Sequence, residues 1–282
     1  MKTVGIIGSG TMGCGIAQVA SQIRCEVVLQ NPRQASVDRA LARIRGSVEK
    51  LVARGKLSEA QGEGILERIR GVTSLASLEG CDIVLESAPE DFETKRAILQ
   101  ELDAVVGDEC IIATNTSSLS VTRLAGCVSR PGHFIGMHFF NPVPVMKLVE
   151  VVSGLRTTDS TVSRVRDFAE KLGKTPIDVK DYPGFVVNRV LFPMINEAAF
   201  ALQEGVADAK GIDECMKGGC NHPMGPLALA DLVGLDVVHA ILESLYHEYG
   251  NPRYAPCLEI TKRVEAGWLG QKTGRGFYDY GK

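Results

Sequence analysis

Residues 4–13 read VGIIGSGTMG, a short apolar run that leads directly into the pattern G-x-G-x-x-G. This order predicts a strand, a tight turn at Gly8 and the start of a helix. Gly10 lets backbone N–H groups approach a phosphate, and Gly13 lets the helix pack closely against the strand. The helix N-terminus adds a positive dipole end that favours an anion. The residues expected to hold a dinucleotide are Gly8, Gly10, Thr11, Met12 and Gly13; the alternative is a glycine-rich turn that binds no ligand.

The second strand ends at Leu29-Gln30-Asn31, where sites that bind NAD usually carry an acidic residue for the ribose hydroxyls. Here the residue is Asn31, and Arg33 follows two positions later. An uncharged side chain removes the repulsion of a 2′-phosphate, and the guanidinium supplies a cation for one. The alternative is that Asn31 hydrogen-bonds the ribose of NAD while Arg33 faces solvent. The sequence therefore predicts NAD or NADP as the cofactor.

Predicted strands and helices alternate through the first part of the chain. Short β-branched runs predict strands at residues 4–7, 26–29, 82–86, 110–114, 134–138, 148–152 and 176–179. Helical patterns lie between them at residues 11–23, 34–54, 58–70, 94–106 and 160–172. Apolar strands that alternate with helices predict a parallel sheet covered on both faces, which is a doubly wound, Rossmann-type α/β fold.

The composition changes after the turn at residues 181–184, and helices are predicted beyond it at residues 185–204, 225–249 and 252–267. Pro183 suits a position just before a helix, and Pro193 is expected to bend the helix that contains it. We therefore divide the chain into two domains. Residues 1–182 form the predicted dinucleotide-binding domain, and residues 183–282 form an all-helical substrate and dimerisation domain.

The bulk composition excludes several classes of protein. The 282 residues carry a net charge of −3, with 45% hydrophobic and 23% charged residues. These globular values argue against disorder, and they give no reason to expect nucleic acid as a partner. No apolar run has the length of a membrane span and no export signal is evident, so we expect a cytoplasmic protein with no membrane partner. The cysteines include no CxxC pair, and Cys215, Cys220 and His222 lack zinc-site spacing, so no metal site is predicted.

A candidate reaction centre follows two later strands. Residues 113–118 read ATNTSS and end a strand at the edge where open α/β sheets bind ligands, so we expect Asn115 to contact the cofactor. His138 ends another strand, and Glu150 is a lone carboxylate in an apolar strand. A buried carboxylate is costly without a partner, and His138 is the simplest one. Such a carboxylate fixes the imidazole tautomer for proton transfer, although a purely structural pair is the alternative.

Several long sequence motifs are distributed from one end of the chain to the other, and each occurs once. They are GIIGSGTMGCGIAQ, NTSSL, GMHFFNPVPVMKLVEV, PGFVVNRVL, NHPMGP and KTGRGFYDY. In these motifs the chain resembles the L-3-hydroxyacyl-CoA dehydrogenase family, and most closely its short bacterial members. The resemblance implies reversible hydride transfer between (S)-3-hydroxybutyryl-CoA and acetoacetyl-CoA. It also agrees with a homodimer formed through the helical domain, whose apolar helices hold more surface than one small domain would bury.

The resemblance implies a role for each residue at a matching position. His138 takes the proton of the β-hydroxyl as hydride moves to the nicotinamide, and Glu150 orients it. Ser117 and Asn188 hydrogen-bond the reacting oxygen, which would place the site in the cleft between the two domains. The implied cofactor positions are Glu90, Lys95, Asn141 and Lys272, and the implied coenzyme A positions are Ser47, Lys50, Arg54 and Ser117.

A basic segment supports an acyl-CoA substrate independently. Residues 33–56 hold seven basic residues against two acidic ones, a balance of +5. Lys50 and Arg54 are four residues apart and share a helix face, with Ser47 one turn earlier. Such a face suits the phosphates of a CoA thioester, although a solvated basic helix is the alternative.

Two other functions remain open at the level of sequence. One is a hydroxy-acid dehydrogenase of the same fold that acts on a substrate without CoA, such as a sugar acid. The other is a dinucleotide-binding protein without catalytic activity. The basic face argues against the first, and the presence of Ser117, His138, Glu150 and Asn188 together argues against the second.

Overall fold

The protein is described by a computed structural model that covers residues 1–281. The chain forms two compact units, Met1–Tyr182 and a second unit that begins at Pro183. Each unit has its own buried apolar cluster.

The first unit is built on a mixed sheet. Its eight strands, counted within residues 1–281, have the order β3-β2-β1-β4-β5-β6-β7-β8. They are β1 Thr3–Ile7, β2 Glu26–Gln30, β3 Ile69–Val72, β4 Ile83–Glu86, β5 Ile111–Thr114, β6 Phe134–Phe139, β7 Leu148–Ser153 and β8 Thr175–Lys180. Its helices are α1 Thr11–Gln22, α2 Gln34–Ala53, α3 Glu59–Glu67, α4 Phe92–Asp103, α5 Val121–Ala125 and α6 Asp159–Lys171.

The central strands explain why the sheet is covered on both faces. Every residue of β4, β5 and β6 is buried, whichever side its side chain takes. Successive side chains on a strand alternate between faces, so such strands need helices on both sides. Together with the helical second unit, this arrangement confirms the predicted Rossmann-type α/β class.

The prediction of a purely parallel sheet was wrong at one position. The first six strands in the sheet order, β3-β2-β1-β4-β5-β6, are all parallel. Strand β7 runs antiparallel to β6, with Gly136 opposite Val152 and Phe139 opposite Val149. The segment between β6 and β7 is too short to carry the crossover helix that a parallel pairing needs. Strand β8 is parallel to β7 and extends the sheet by one strand.

Strand β3 was missed, because residues 58–70 were predicted as one helix. The helix starts as expected, since Ser58 and Gln61 form a capping box, but it ends at Glu67. Ile69 then pairs with Val27 of β2. Ladder bonds to β2 stabilise the extended conformation here, and a long-range pairing of this kind leaves no signal in the local helical pattern.

The second unit consists of helices within its described residues. They are α7 Val187–Gln203, α8 Ala209–Cys220, α9 Pro226–Val233, α10 Leu235–Tyr249 and α11 Leu258–Glu265. Helix α8 was not predicted, and the helices expected at residues 225–249 and 252–267 were too long. The first of these is divided at Gly234, whose φ of 104° is unfavourable for other residues. Helix α7 is continuous through Pro193.

Two buried aspartates hold the C-terminal segment of the second unit. Asp213 accepts hydrogen bonds from the backbone N–H groups of Leu227 and Ala228 and from the Tyr278 hydroxyl. Asp231 accepts from the backbone of residues 277 and 278 and from the Tyr280 hydroxyl. Burial and the neighbouring carboxylates raise the pKa of Tyr280 to about 12, so its hydroxyl stays protonated as a donor.

Within residues 1–281 no helix combines the length and apolar character that a membrane-spanning segment requires.

Candidate active site

Four parallel strands end at one edge of the sheet of the first unit. In β1, β4, β5 and β6 the last residues are Ile7, Glu86, Thr114 and Phe139. The register sets Ile7 beside Glu86 and Glu86 beside Thr114. The loops that follow these strands therefore meet at the carboxyl edge, which is where ligands bind in open α/β sheets.

The glycine-rich turn has the geometry that a dinucleotide needs. A Cβ at Gly8 would overlap the carbonyl oxygen of Ser87, and one at Gly13 would overlap the carbonyl oxygen of Gly8. A Cβ at Gly10, in contrast, would meet no atom within 4 Å. Two of the glycines thus allow the turn to pack, while the third leaves open space at the N-terminus of α1. The turn fits a dinucleotide diphosphate, for which the α1 N–H groups of residues 11–13 are the candidate donors.

Asn31 directly follows the last residue of β2. Its side-chain Oδ1 accepts a hydrogen bond of 3.1 Å from the backbone N–H of Arg33, so the amide stabilises the turn that leads into α2. Arg33 itself is exposed. Arg43, counted in the sequence only as part of a basic segment, reaches the glycine-rich turn, because its Nη1 donates to Thr11 Oγ1 at 3.1 Å. One cation of α2 therefore lies beside the glycine-rich turn.

The turn after β5 is held by Glu90. One oxygen, Oε1, accepts hydrogen bonds from the Thr116 hydroxyl (2.6 Å) and from the backbone N–H groups of Ser117 (2.7 Å) and Ser118 (2.8 Å). It also accepts from the Ser117 hydroxyl at 3.2 Å. Burial raises the pKa of Glu90, but the Lys95 ammonium and these hydrogen bonds outweigh it and lower the pKa below its usual value. Glu90 is thus ionised and fixes Ser117.

Lys95 lies inside the protein, with 1% of its side chain exposed. Its Nζ donates to Glu86 Oε1 at 2.7 Å and lies 3.5 Å from Glu90 Oε2. The structure therefore places Lys95 beneath the Glu90 turn. Sequence reasoning missed Glu86, although the signal that identified Glu150, a lone carboxylate in an apolar strand, is present at Glu86 as well.

His138 and Glu150 form the second buried pair of this edge. They lie opposite each other in the β6–β7 pairing, and His138 Nδ1 is 2.7 Å from Glu150 Oε2. His138 is 6% exposed and Glu150 is 1% exposed. The Phe140 ring packs against the imidazole with centroids 4.6 Å apart. With Nδ1–H donated to the carboxylate, proton exchange with a substrate falls to Nε2.

Asn115 joins two strand ends. Its Oδ1 accepts from the backbone N–H of Phe139 at 2.8 Å, and its Nδ2 lies 3.5 Å from Ser87 Oγ. The predicted cofactor residue Asn115 thereby links the turn after β5 to the end of β6. Asn141, also predicted near the cofactor, is exposed two residues after the end of that strand.

The predicted coenzyme A residues lie along α2 and just beyond it. Ser47 is half-buried, whereas Lys50 and Arg54 are exposed. Helix α2 ends at Ala53, so Arg54 is the residue that follows the last turn. The spacing of Arg43, Ser47, Lys50 and Arg54 places these four residues on one face of the helix axis.

Two of the predicted site residues belong to the second unit. Asn188 lies in the first turn of α7 and is 7% exposed. Lys272 forms an ion pair with Asp236 at the start of α10.

Metal-ligating clusters and cysteines are two further kinds of chemical group. In residues 1–281, no three His, Cys, Asp or Glu side chains are grouped so that they could hold a metal ion. Cys81 and Cys110 are buried just before β4 and β5, at the amino ends of these strands, and burial raises the pKa of Cys81 to about 11 and that of Cys110 to about 12. Such thiols stay protonated and are poor nucleophiles.

Comparison with known proteins adds independent information. The sequence profile of the 3-hydroxyacyl-CoA dehydrogenase NAD binding domain matches residues 3–182, and that of the C-terminal domain of the same enzymes matches residues 184–280. A probable 3-hydroxybutyryl-CoA dehydrogenase of Deinococcus radiodurans is 49% identical over 276 residues, which cover 98% of this chain and 99% of the relative. These matches confirm the resemblance found in the motifs.

Solved and curated relatives extend the comparison. The crystal structure of an (S)-3-hydroxybutyryl-CoA dehydrogenase from Ralstonia eutropha is 51% identical, covers 100% of both chains and has a TM-score of 0.97. A 3-hydroxyadipyl-CoA dehydrogenase of Escherichia coli is 41% identical over 281 residues, which cover 99% of this chain and 59% of the relative.

Proposed function

The chain belongs to the 3-hydroxyacyl-CoA dehydrogenase family, and we propose that it interconverts (S)-3-hydroxybutyryl-CoA and acetoacetyl-CoA with a nicotinamide dinucleotide. The observation that carries this proposal is the buried His138–Glu150 pair at the carboxyl edge of the sheet. The names of the relatives from Deinococcus radiodurans and Ralstonia eutropha support the choice of the four-carbon substrate.

The geometry of the pair suggests how it moves a proton. In the oxidative direction, His138 Nε2 removes the proton of the 3-hydroxyl group, and Glu150 stabilises the imidazolium that forms. In the reductive direction, the imidazolium returns the proton to the oxygen. The nicotinamide of the bound dinucleotide supplies the acceptor or donor of the hydride. Burial of both side chains keeps water away from the proton-transfer path and strengthens their interaction.

Two hydrogen-bonding groups complete the proposed machinery. Ser117 and Asn188 are proposed to contact the reacting oxygen, where negative charge develops as hydride transfer proceeds. Glu90 supports this role for Ser117, because it fixes both the backbone and the hydroxyl of that residue. A fixed side chain requires little reorganisation in the transition state.

The ligand sites are proposed from the same structural features. The glycine-rich turn is proposed to hold the dinucleotide, and the further cofactor positions are Glu90, Lys95, Asn115, Asn141 and Lys272. Both NAD and NADP are candidates, since Asn31 carries no charge and Arg33 is exposed beside it. The face of α2 with Ser47, Lys50 and Arg54 is proposed to bind the phosphates of coenzyme A. CoA thioesters and nicotinamide dinucleotides are consistent with a cytoplasmic enzyme.

Initial rates of acetoacetyl-CoA reduction at 340 nm, measured with NADH and with NADPH, test this function. Turnover with either dinucleotide supports the proposal, and the ratio of the two kcat/KM values assigns the cofactor. A preference for NADPH would indicate that Arg33 binds the 2′-phosphate, and a preference for NADH would indicate that Asn31 replaces the usual acidic residue.

Free acetoacetate serves as the matched control for the thioester. We expect kcat/KM to be far lower without coenzyme A. Equal rates would instead favour a hydroxy-acid dehydrogenase of the same fold. Dinucleotide binding without turnover of either substrate would favour a binding protein and would contradict the proposed activity.

A further inference from the structure

Glu86 is a buried carboxylate that the proposed mechanism does not use. It is the last residue of β4, and its side chain is 0% exposed. Burying a carboxylate is costly unless other groups pair with it and hydrogen-bond its oxygens. The partners of Glu86 therefore show what its position requires.

Both oxygens of Glu86 have partners. Oε1 accepts from Lys95 Nζ at 2.7 Å and from the backbone N–H of Ala88 at 2.6 Å. Oε2 accepts from the Thr114 hydroxyl at 2.7 Å. Each oxygen thus connects Glu86 to a different element, one to α4 and the other to β5.

The first connection leads to Ser117 through two charged groups. Lys95 Nζ is held by Glu86 and lies 3.5 Å from Glu90 Oε2. The other oxygen of Glu90 accepts from the backbone N–H and the hydroxyl of Ser117. Without Glu86, the Lys95 ammonium would have Glu90 as its remaining carboxylate partner, and the Glu90 side chain would be drawn towards α4.

The second connection leads to the turn after β5 through Thr114, the last residue of that strand. Thr114 Oγ1 donates to Glu86, and it accepts a hydrogen bond of 3.3 Å from the backbone N–H of Thr116. The Thr116 hydroxyl in turn donates to Glu90. Two routes that start at one carboxylate therefore converge on residues 116–118. An ion pair that only stabilised the interior would not require this convergence.

We propose that Glu86 is a positioning residue that sets the placement of Ser117 through Lys95–Glu90 on one side and Thr114–Thr116 on the other. This inference rests on the proposed function, in which Ser117 contacts the reacting oxygen. Displacement of a positioning group by about 1 Å can cost about 100-fold in rate. The loss of Glu86 should therefore reduce kcat rather than the affinity for the thioester.

Glu86→Gln tests the inference in the full chain, because it keeps the shape of the side chain and removes its charge. We expect kcat for acetoacetyl-CoA reduction at 25 °C to fall roughly 10- to 100-fold. The KM for acetoacetyl-CoA should stay within about twofold of wild type, since the face of α2 is untouched. Thermal unfolding followed by circular dichroism monitors folding in parallel.

Asp213→Asn is the matched control. Asp213 is also buried and hydrogen-bonded, but it lies in the second unit and holds the backbone of α9. We expect this variant to melt at a lower temperature while its kcat and KM at 25 °C remain near wild type. A fall in kcat equal to that of Glu86→Gln would indicate a general loss of stability and would overturn the inference.

Thr114→Val decides the question if Glu86→Gln does not fold. Valine matches threonine in shape, cuts the second route and leaves the ion pair of Glu86 with Lys95 intact. We expect a severalfold lower kcat with an unchanged KM for the thioester. A wild-type kcat in every Glu86 and Thr114 variant that folds would overturn the inference while the wild-type enzyme remains active. An inactive wild type would contradict the proposed function instead.

Discussion

The Glu90 side chain is partly exposed to solvent, but its carboxylate is held by several hydrogen bonds. About a third of its side chain is exposed (33%), yet its carboxylate receives hydrogen bonds from three consecutive residues, 116–118. Despite the opposing effect of burial, the Lys95 ammonium and these hydrogen bonds keep the pKa below the ordinary value of 4.5. The ionised form is therefore the one that the folded state prefers.

The lowered pKa predicts how stability depends on pH. A carboxylate whose pKa is lower in the folded state stabilises the fold above its unfolded pKa, and this contribution is lost as the pH falls through the folded value. In Glu90→Gln we expect a lower free energy of unfolding than in wild type at neutral pH. The difference should shrink below about pH 4.5. Urea unfolding of both proteins between about pH 7 and pH 2 measures it, because this range extends below the ordinary pKa of a glutamate. A difference that stays constant over the whole range would contradict this assignment.

Single residues could be read from the sequence where their partners lay on neighbouring strands. A lone carboxylate in an apolar strand indicated a partner for Glu150, and the β6–β7 pairing brings His138 to it. Glu86 has the same signal, but its partner Lys95 lies on a helix, where an amphipathic pattern hides one inward lysine. The contact between Arg43 and Thr11 had no local signal at all, because it depends on how α1 and α2 pack.

At the scale of elements, different glycines of the glycine-rich turn serve packing and ligand binding. A Cβ at Gly13 would overlap the backbone of Gly8, whereas a Cβ at Gly10 would enter open space. We predict that Gly13→Ala lowers the free energy of unfolding by about 3 kcal/mol or more. Gly10→Ala should cost about 1 kcal/mol or less, because its backbone conformation is extended and suits alanine.

Binding should follow the opposite order from stability. Because Gly10 faces the space proposed for the dinucleotide, Gly10→Ala should weaken binding of NADH or NADPH at least about tenfold. Fluorescence titration of the purified variant with each dinucleotide measures the dissociation constant. Wild-type affinity in a folded Gly10→Ala protein would show that the diphosphate is not held at this turn.

Helix α2 offers a second test at this scale. Ser47→Ala combined with Arg54→Ala should raise the KM for acetoacetyl-CoA about 3- to 10-fold and leave the KM for the dinucleotide unchanged. Arg45→Ala is the matched control, since Arg45 is exposed and lies on the opposite side of the helix. The KM of wild type should also rise more steeply with ionic strength than that of the double variant, which keeps Arg43 and Lys50 on this face but lacks the Arg54 cation. Equal KM values for acetoacetyl-CoA in the double variant, Arg45→Ala and wild type would show that this face of α2 is a solvated surface that does not bind coenzyme A.

The elements that the sequence could not predict depend on distant contacts. Strand β3 forms because β2 offers it a ladder, and its sequence IRGV carries little strand signal. Strand β7 is antiparallel because its connection to β6 is short. Its apolar composition resembles that of the parallel strands, so composition did not reveal its direction. Helix α8 contains Gly211, Gly218 and Gly219, which weaken the helical pattern, and it is stabilised by an Asp208 cap and by packing against α9.

At the scale of the whole molecule, the second unit carries exposed apolar side chains on α7, on α11 and in the connection between α7 and α8. The exposed fractions are 64% for Val190, 72% for Val206 and 57% for Leu258. The homodimer that the sequence analysis expects would cover such side chains if the second copy packs on this unit. Light scattering should give about twice the chain mass of 30.3 kDa. A mass equal to that of one chain at micromolar concentration would contradict the dimer.

The general class of the fold and the contact between His138 and Glu150 were predictable for the same reason. Both depend on patterns within a few residues, such as the glycine spacing at residues 8–13 and the isolated charges of β6 and β7. The family was predictable because its motifs extend from residue 5 to residue 280. The hydrogen bonds that Glu90 and Glu86 make to the turn after β5 required the packed structure, since they join three separate elements.

The central claim is that the buried His138–Glu150 pair performs the acid/base step of hydroxyacyl-CoA oxidation. The measurement that tests it most directly is the initial rate of acetoacetyl-CoA reduction by wild type and by His138→Ala, at saturating thioester and with the preferred dinucleotide. We predict a fall in kcat of about 10²- to 10⁴-fold, with dinucleotide affinity and thermal unfolding near wild type. A variant that turns over at nearly the wild-type rate would remove His138 from the mechanism and contradict the account.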